Sequence, residues 1–193
     1  RKAPLALPGA MTEAQALAAI RQEVEAAAAA DEFAGSVLIA RRGKTILLDA
    51  RGAAERAFGS PNRPDTRFNL GSINKLFTRV AVAQLAQQGK LTLDDTIAKH
   101  LPDYPNADAA KKVTIRHLLD MSSGIGDFFG EKFDATPKNR LRRNADFLPL
   151  FAAEPLAFEP GGKRQYSNGG YVVLGAIVEK VSGEDYHDYV RRH

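Results

Sequence analysis

The sequence predicts a mixed fold of the α/β (α+β) class, an antiparallel sheet flanked by helices together with a helical region. Three observations predict it. Two short apolar runs, residues 36–40 and 45–48, are joined by Arg41-Arg42-Gly43-Lys44 in the manner of a β-hairpin. From Ser72 onward the apolar residues recur with the period of a helix. After Gly59 little reads as strand, and two strands alone do not make a stable sheet, so partner strands are expected outside this chain.

The elements follow in order. Thr12-Glu13-Ala14-Gln15 has the form of a capping box, and the alanine-rich stretch to Ala30 is predicted to be helix. Gly35 then opens the hairpin. Both of its strands are apolar on successive residues, which predicts a sheet covered on both faces. Residues 59–64, with Pro61, Asn62 and Pro64, read as loop. Ile73, Leu76, Phe77, Val80, Ala81 and Leu85 fall on one broad helical face, and Gly89 stands where a helix stops. A short helix is expected over residues 94–100, before Pro102 and Pro105. Thr114 caps a helix through Leu119 that ends at Ser122-Ser123-Gly124. Residues 125–140 read as loop, and a helix is expected between Leu141 and Ala153. A second Pro/Gly loop covers 155–165. Tyr171, Leu174, Val178 and Val181 then mark a buried helix ending at Gly183, with a short helix after it. The chain thus divides into residues 1–58, with the first helix and strands, and the helical region 59–193.

Composition narrows the function classes. The chain has 193 residues, 44% hydrophobic and 26% charged, which is globular rather than disordered. No apolar run approaches the ~20 residues of a membrane span. Residue 1 is Arg and no signal-peptide core follows, which reads as a mature or trimmed form. The absence of cysteine excludes disulfides and thiolate-held metals. A net charge of +4 raises the question of nucleic acid. The basic residues form small groups, such as Lys111-Lys112 and Arg142-Arg143, without interleaved aromatics, so no nucleic-acid partner is expected. His100, His117, His187 and His193 lack metal-ligand spacing. No Gly-rich phosphate loop and no Gly-x-Ser-x-Gly elbow is present, so neither metal nor cofactor is expected.

Two short motifs remain. Ser72-Ile73-Asn74-Lys75 sets a hydroxyl and an amine on one face at the start of a helix. Serine is a weak nucleophile until a base takes its proton, and a lysine serves as base when burial or nearby cations lower its pKa. The spacing by itself is weak. A chain with seven serines and eleven lysines holds about 0.4 such pairs by chance. On the plain alternative, Ser72 is an N-cap and Lys75 a solvated first-turn residue. Tyr166-Ser167-Asn168 precedes the buried helix. Its tyrosine can shuttle a proton and Asn168 can donate to a substrate carbonyl, or the segment simply packs and caps. Tyr104-Pro105-Asn106 has the same three-letter form.

Taken together, four segments resemble one family in order. They are Phe68 through Thr78 around Ser72, Leu91-Thr92-Leu93-Asp94-Asp95, Val113 through Leu119 with Ser122-Ser123-Gly124, and Glu159-Pro160-Gly161 through Tyr171. This is similar to the serine β-lactamase and penicillin-binding protein family, which holds class C β-lactamases, D-alanyl-D-alanine carboxypeptidases, D-amino-acid peptidases and related esterases. The resemblance implies a β-lactamase/transpeptidase-like fold and a serine hydrolase that works through an acyl-enzyme on a small ester, amide or peptide. It gives Ser72 the nucleophile's role, Lys75 and Tyr166 the proton handling, and Asn168 the holding of Lys75 and substrate. It leaves Tyr104 in a loop and Ser122-Ser123-Gly124 as a structural turn. It implies a periplasmic or secreted location. The family's third motif, Lys-Thr-Gly or His-x-Gly, has no counterpart here. The chain is therefore expected to be an N-terminal part, its site completed by a further C-terminal segment or a second chain. The alternative is a catalytically silent scaffold or binding relative.

Overall fold

A computed structural model describes Gly9 and residues 11–193, so the reading of the extreme N-terminus lies outside the described residues. The chain forms two compact units, Arg1–Asn69 and Leu70–His193.

In the first unit, helix α1 (Glu13–Ala29) begins at the expected capping box. Thr12 accepts from the Gln15 backbone N–H, and the Gln15 side chain bonds back to the Thr12 N–H. The hairpin pairs β1 (Gly35–Arg41) with β2 (Lys44–Arg51) antiparallel, with a register shift between Ile39 and Ala40. α1 packs against β2. The expectation that both faces are covered is corrected. Ile39 and Leu47 face each other on the covered side, where Leu47 is buried, but the partners Leu38 and Leu48 on the other side are exposed. Successive apolar residues show what a strand can bury, not whether a layer is there to cover it. β3 (Ala53–Glu55) pairs with β4 (Ser60–Pro61), so the segment read as loop carries a two-residue strand.

The second unit is helical and built around one core. A 3₁₀ turn (Gly71–Asn74) leads into α2 (Lys75–Gln87), which stops before Gly89 at positive φ. Then come α3 (Ile97–His100), α4 (Ala107–Lys112), α5 (Ile115–Leu119), α6 (Glu131–Ala135), α7 (Asn144–Phe151), α8 (Asn168–Ser182) and α9 (Tyr186–Arg192). α8 packs against α2, α3, α5, α7 and α9. Its run from Gly169 to Leu174 and on to Val178 is largely buried, as a helix surrounded by others requires. Gly183 at φ 74° ends it.

Three readings are corrected in this unit. The buried face of α2 is Thr78, Ala81, Val82 and Leu85, while Ile73, Leu76, Phe77 and Val80 are exposed. The short helix before Pro102 starts only at Ile97, because Asp95 is engaged in capping the preceding turn. Residues 125–140, read as loop, contain α6 and a 3₁₀ turn (Lys138–Arg140).

Candidate active site

Ser72 and Lys75 are set by the junction between the 3₁₀ turn and α2. Ser72 is not an N-cap, since neither the turn nor α2 has a side-chain cap bond. Its hydroxyl instead bonds the phenol of Tyr166, and Lys75 Nζ lies 3.4 Å from Ser72 Oγ.

Tyr166 arrives from the other side on a loop held by backbone. The N–H groups of Ala157, Gly161 and Gln165 donate to the carbonyls of Gly124, Ser122 and Met121 at 2.8, 2.8 and 2.9 Å. The Ser122-Ser123-Gly124 turn is thus the anchor for the loop. Gly124 has φ +75°, and a Cβ there would sit 2.3 Å from the Phe158 carbonyl oxygen, so only glycine fits. Ser167 then caps α8, accepting from the Gly170 N–H and donating to the Gly126 carbonyl, both at 2.8 Å. Asn168 begins the helix.

The four residues singled out by their sequence meet at one point. Lys75 Nζ donates to Tyr166 Oη at 2.7 Å and Asn168 Oδ1 at 2.6 Å as well as to Ser72 Oγ, so all three of its hydrogens have acceptors. It also lies 4.7 Å from the centre of the Tyr166 ring. Hydrogen bonds from Lys75, then from Ser72, lower the pKa of Tyr166 against the opposing effect of partial desolvation. The ionised phenol is favoured by a donor pair and an adjacent positive charge. Tyr166 is 54% exposed, so solvent has access to it.

Sequence reasoning missed two supports. Asp127 Oδ2 accepts from Asn168 Nδ2 at 2.7 Å, and its Oδ1 accepts from the Phe128 N–H at 2.8 Å. A carboxylate only accepts, so it turns the Asn168 amide nitrogen toward itself and the oxygen toward Lys75. Arg79 donates to Tyr171 Oη at 2.9 Å and to the Leu119 carbonyl at 2.8 Å, fixing a ring whose centre is 5.4 Å from Lys75 Nζ. Asp127 lies in a stretch with no period and 41 residues from Asn168, so no sequence signal links them. Arg79 is four residues after Lys75, one turn along α2, and that spacing was the available clue.

The remaining candidates have structural roles. Tyr104 is buried, which raises its pKa, and Asn106 caps α4 through the Ala109 N–H. His117 Nδ1 accepts from the Thr114 N–H in the capping box of α5. Among the described residues no group of three or more His, Asp or Glu could hold a metal, and no helix is long and apolar enough to cross a membrane.

A mixed helical fold with small antiparallel sheets and a Ser-x-x-Lys pair facing a Tyr-x-Asn segment defines the class to which the chain is compared. The family described as Beta-lactamase matches residues 19–193, and the chain belongs to that family. Penicillin-binding protein 4* of Bacillus subtilis (strain 168) is 35% identical over 162 residues, 83% of this chain and 35% of that protein. The crystal structure of a penicillin binding protein from Bacillus halodurans superposes with a TM-score of 0.75 at 35% identity, covering 91% of this chain and 52% of that one. EstCE1, described as a hydrolase with promiscuous acyltransferase activity, gives 0.76 at 30% identity, covering 92% and 50%. The chain therefore spans about half the length of these solved structures and about a third of the curated relative.

Proposed function

We propose that the protein is a serine hydrolase that cleaves a small ester, amide or peptide through an acyl-enzyme on Ser72. The observation that carries this reading is the convergence of Ser72, Lys75, Tyr166 and Asn168, from segments 91 to 94 residues apart, in one hydrogen-bonded cluster. A hydroxyl bonded to a phenol that is itself bonded to an ammonium is an arrangement for removing the hydroxyl's proton.

In this mechanism Ser72 Oγ attacks the substrate carbonyl carbon while its proton passes to the Tyr166 phenolate. The ammonium of Lys75 stabilises that phenolate, and the N-terminal end of α2 favours the negative charge that develops beside Ser72. Collapse of the tetrahedral intermediate breaks the bond to the leaving oxygen or nitrogen, which takes the proton back from Tyr166 Oη. Water then attacks the Ser72 ester by the same route, giving the acid and regenerating the hydroxyl. Asn168, held by Asp127, keeps Lys75 in place and has its second amide N–H left to donate to the substrate. Similarity to penicillin-binding proteins and to a hydrolase supports the reaction type. A periplasmic or secreted location accompanies this reading, and fractionation of the source cells tests it.

The deciding experiment is intact mass after treatment with a fluorophosphonate, on the wild type and Ser72→Ala. One adduct, absent in the variant, is expected, and the untreated spectrum reports any second chain. No adduct on the folded 193-residue chain means an incomplete or a silent site, and no adduct once the completing segment is supplied rejects Ser72 as an activated nucleophile and leaves the scaffold reading.

A further inference from the structure

Two clefts flank Ser72 and differ in chemistry. One, of about 490 Å³, contains Tyr166, Arg79, Arg164 and Asp120. The other, of about 360 Å³, contains Phe128, Phe129, Val172, Tyr186 and Asn168. Ser72 and Lys75 line both, so a carbonyl carbon set against Ser72 Oγ divides its two substituents between them. Tyr166 lines only the first. A leaving group takes a proton as it departs, and in the proposed mechanism that proton comes from Tyr166 Oη. The leaving group therefore occupies the first cleft, and the acyl substituent occupies the second.

The second cleft has an apolar wall that is fixed in place. Phe129 is 61% exposed, yet its ring lies 4.4 Å from that of Phe128 and edge-on to Phe133 at 5.2 Å. Phe128 in turn packs edge-on against Phe147 at 5.1 Å, which ties the group to the core. Rings packed against one another in this way are rigid and lose little entropy when a ligand binds. Apart from Lys75, no charged side chain lines the cleft among the described residues. Its volume exceeds the ~150 Å³ of an apolar cavity that takes benzene.

We propose that the cleft beside Phe128 and Phe129 is the acyl-group subsite, and that it selects substrates whose acyl group is aromatic or bulky and apolar. This rests on the reading of Ser72 as nucleophile and adds the substrate class to it.

The test compares kcat/KM for p-nitrophenyl phenylacetate and p-nitrophenyl acetate on the protein, on Phe129→Ala and on Phe129→Leu. A phenylacetyl preference of at least about tenfold is expected. Phe129→Ala lowers that ratio by about fivefold or more, and Phe129→Leu recovers part of it. A ratio near one in the wild type, or a ratio unmoved by Phe129→Ala, overturns the proposal while leaving the hydrolase reading intact. If neither ester is turned over, the fluorophosphonate experiment decides the hydrolase reading, and binding decides the subsite by itself. Ligand-observed NMR with phenylacetamide and acetamide is then run on Ser72→Ala with and without Phe129→Ala. Phenylacetamide binding that depends on Phe129 supports the apolar subsite, and no binding, or binding indifferent to Phe129, rejects it.

Discussion

Tyr166→Phe removes one oxygen atom and tests the proposed proton path directly. That oxygen bonds Ser72 Oγ and accepts from Lys75 Nζ at 2.7 Å, so its loss leaves Ser72 with only the longer 3.4 Å contact from Lys75 Nζ. General acid–base groups contribute about 10²–10⁴ in rate. The expected fall in kcat/KM is in that range, about 3–5 kcal/mol of transition-state stabilisation. Folding should be barely touched, because the ring is more than half exposed and the hydroxyl serves no buried partner. The pH profile gives an independent reading. In the proposed mechanism Tyr166 acts as base when ionised, and its pKa is lowered by the bonds from Lys75 and Ser72. Wild-type kcat/KM should thus rise with pH through a midpoint below the ordinary tyrosine value of about 10. Tyr166→Phe should lose that limb. Initial rates on p-nitrophenyl acetate across pH, with thermal unfolding as the control, measure both. A loss under threefold, or the same limb at the same midpoint in the variant, refutes the assignment.

Other outcomes follow from the supports. Asp127→Ala frees the Asn168 amide to turn, and kcat should fall by about tenfold with little change in the unfolding midpoint; an unchanged kcat would show that Asp127 has no positioning role. Asp95, nearly buried, is desolvated, but bonds from Lys99, from the Thr92 backbone and hydroxyl and from His100 outweigh that and hold its carboxyl well below the usual range. A folded pKa below the unfolded value of about 3.9 means the stability it contributes is present above that pH and is lost as pH falls through the folded pKa. Asp95→Asn should cost about 2–3 kcal/mol at neutral pH and flatten the acid limb of a urea-midpoint profile, and an unaltered acid limb would contradict this. Gly124→Ala should destabilise by at least about 2 kcal/mol, from positive φ and the Phe158 carbonyl together; a wild-type unfolding midpoint would contradict the geometry.

Much of the local structure was legible because it depends on neighbours in sequence. The capping box at Thr12, the cap at Thr114, the hairpin, and the glycine stops at 89 and 183 are all set within a few residues. α4 was missed because Ala107–Lys112 carries alanine and charge rather than an apolar stripe, leaving Asn106 as its one signal. The apolar period of α2 correctly showed a helix but not which face would be covered. Ile73, Leu76, Phe77 and Val80 repeat at i, i+3, i+4 and i+7, as a buried stripe does, yet are exposed. The four candidate site residues were legible, but only the family resemblance implied that they meet, since no spacing rule reaches across more than ninety residues.

The position of these four residues explains how a helical core can set the geometry of an exposed site. Ser72 lies in the 3₁₀ turn that leads into α2, whose first residue is Lys75, and Tyr166 lies two residues before Asn168, the first residue of α8. The two helices pack together and feed one core, with Ala81, Val82 and Leu85 from the first and Val173, Leu174 and Ile177 from the second. Close-packed interiors transmit small displacements rather than absorbing them. A shift of α2 along α8 would therefore reach the site as a change in the Lys75–Asn168 and Lys75–Tyr166 distances, where a misplacement on the order of 1 Å costs as much as ~10² in rate. A core substitution such as Leu85→Ala should accordingly lower kcat as well as stability, although Leu85 lies thirteen residues from the hydroxyl and is wholly buried. Kinetics measured well below the unfolding transition separate the two effects. Loss of stability with kcat unchanged would show that the two helix starts are held by their own loops, through the Met121, Ser122 and Gly124 carbonyls, and not by the helix pair beneath them.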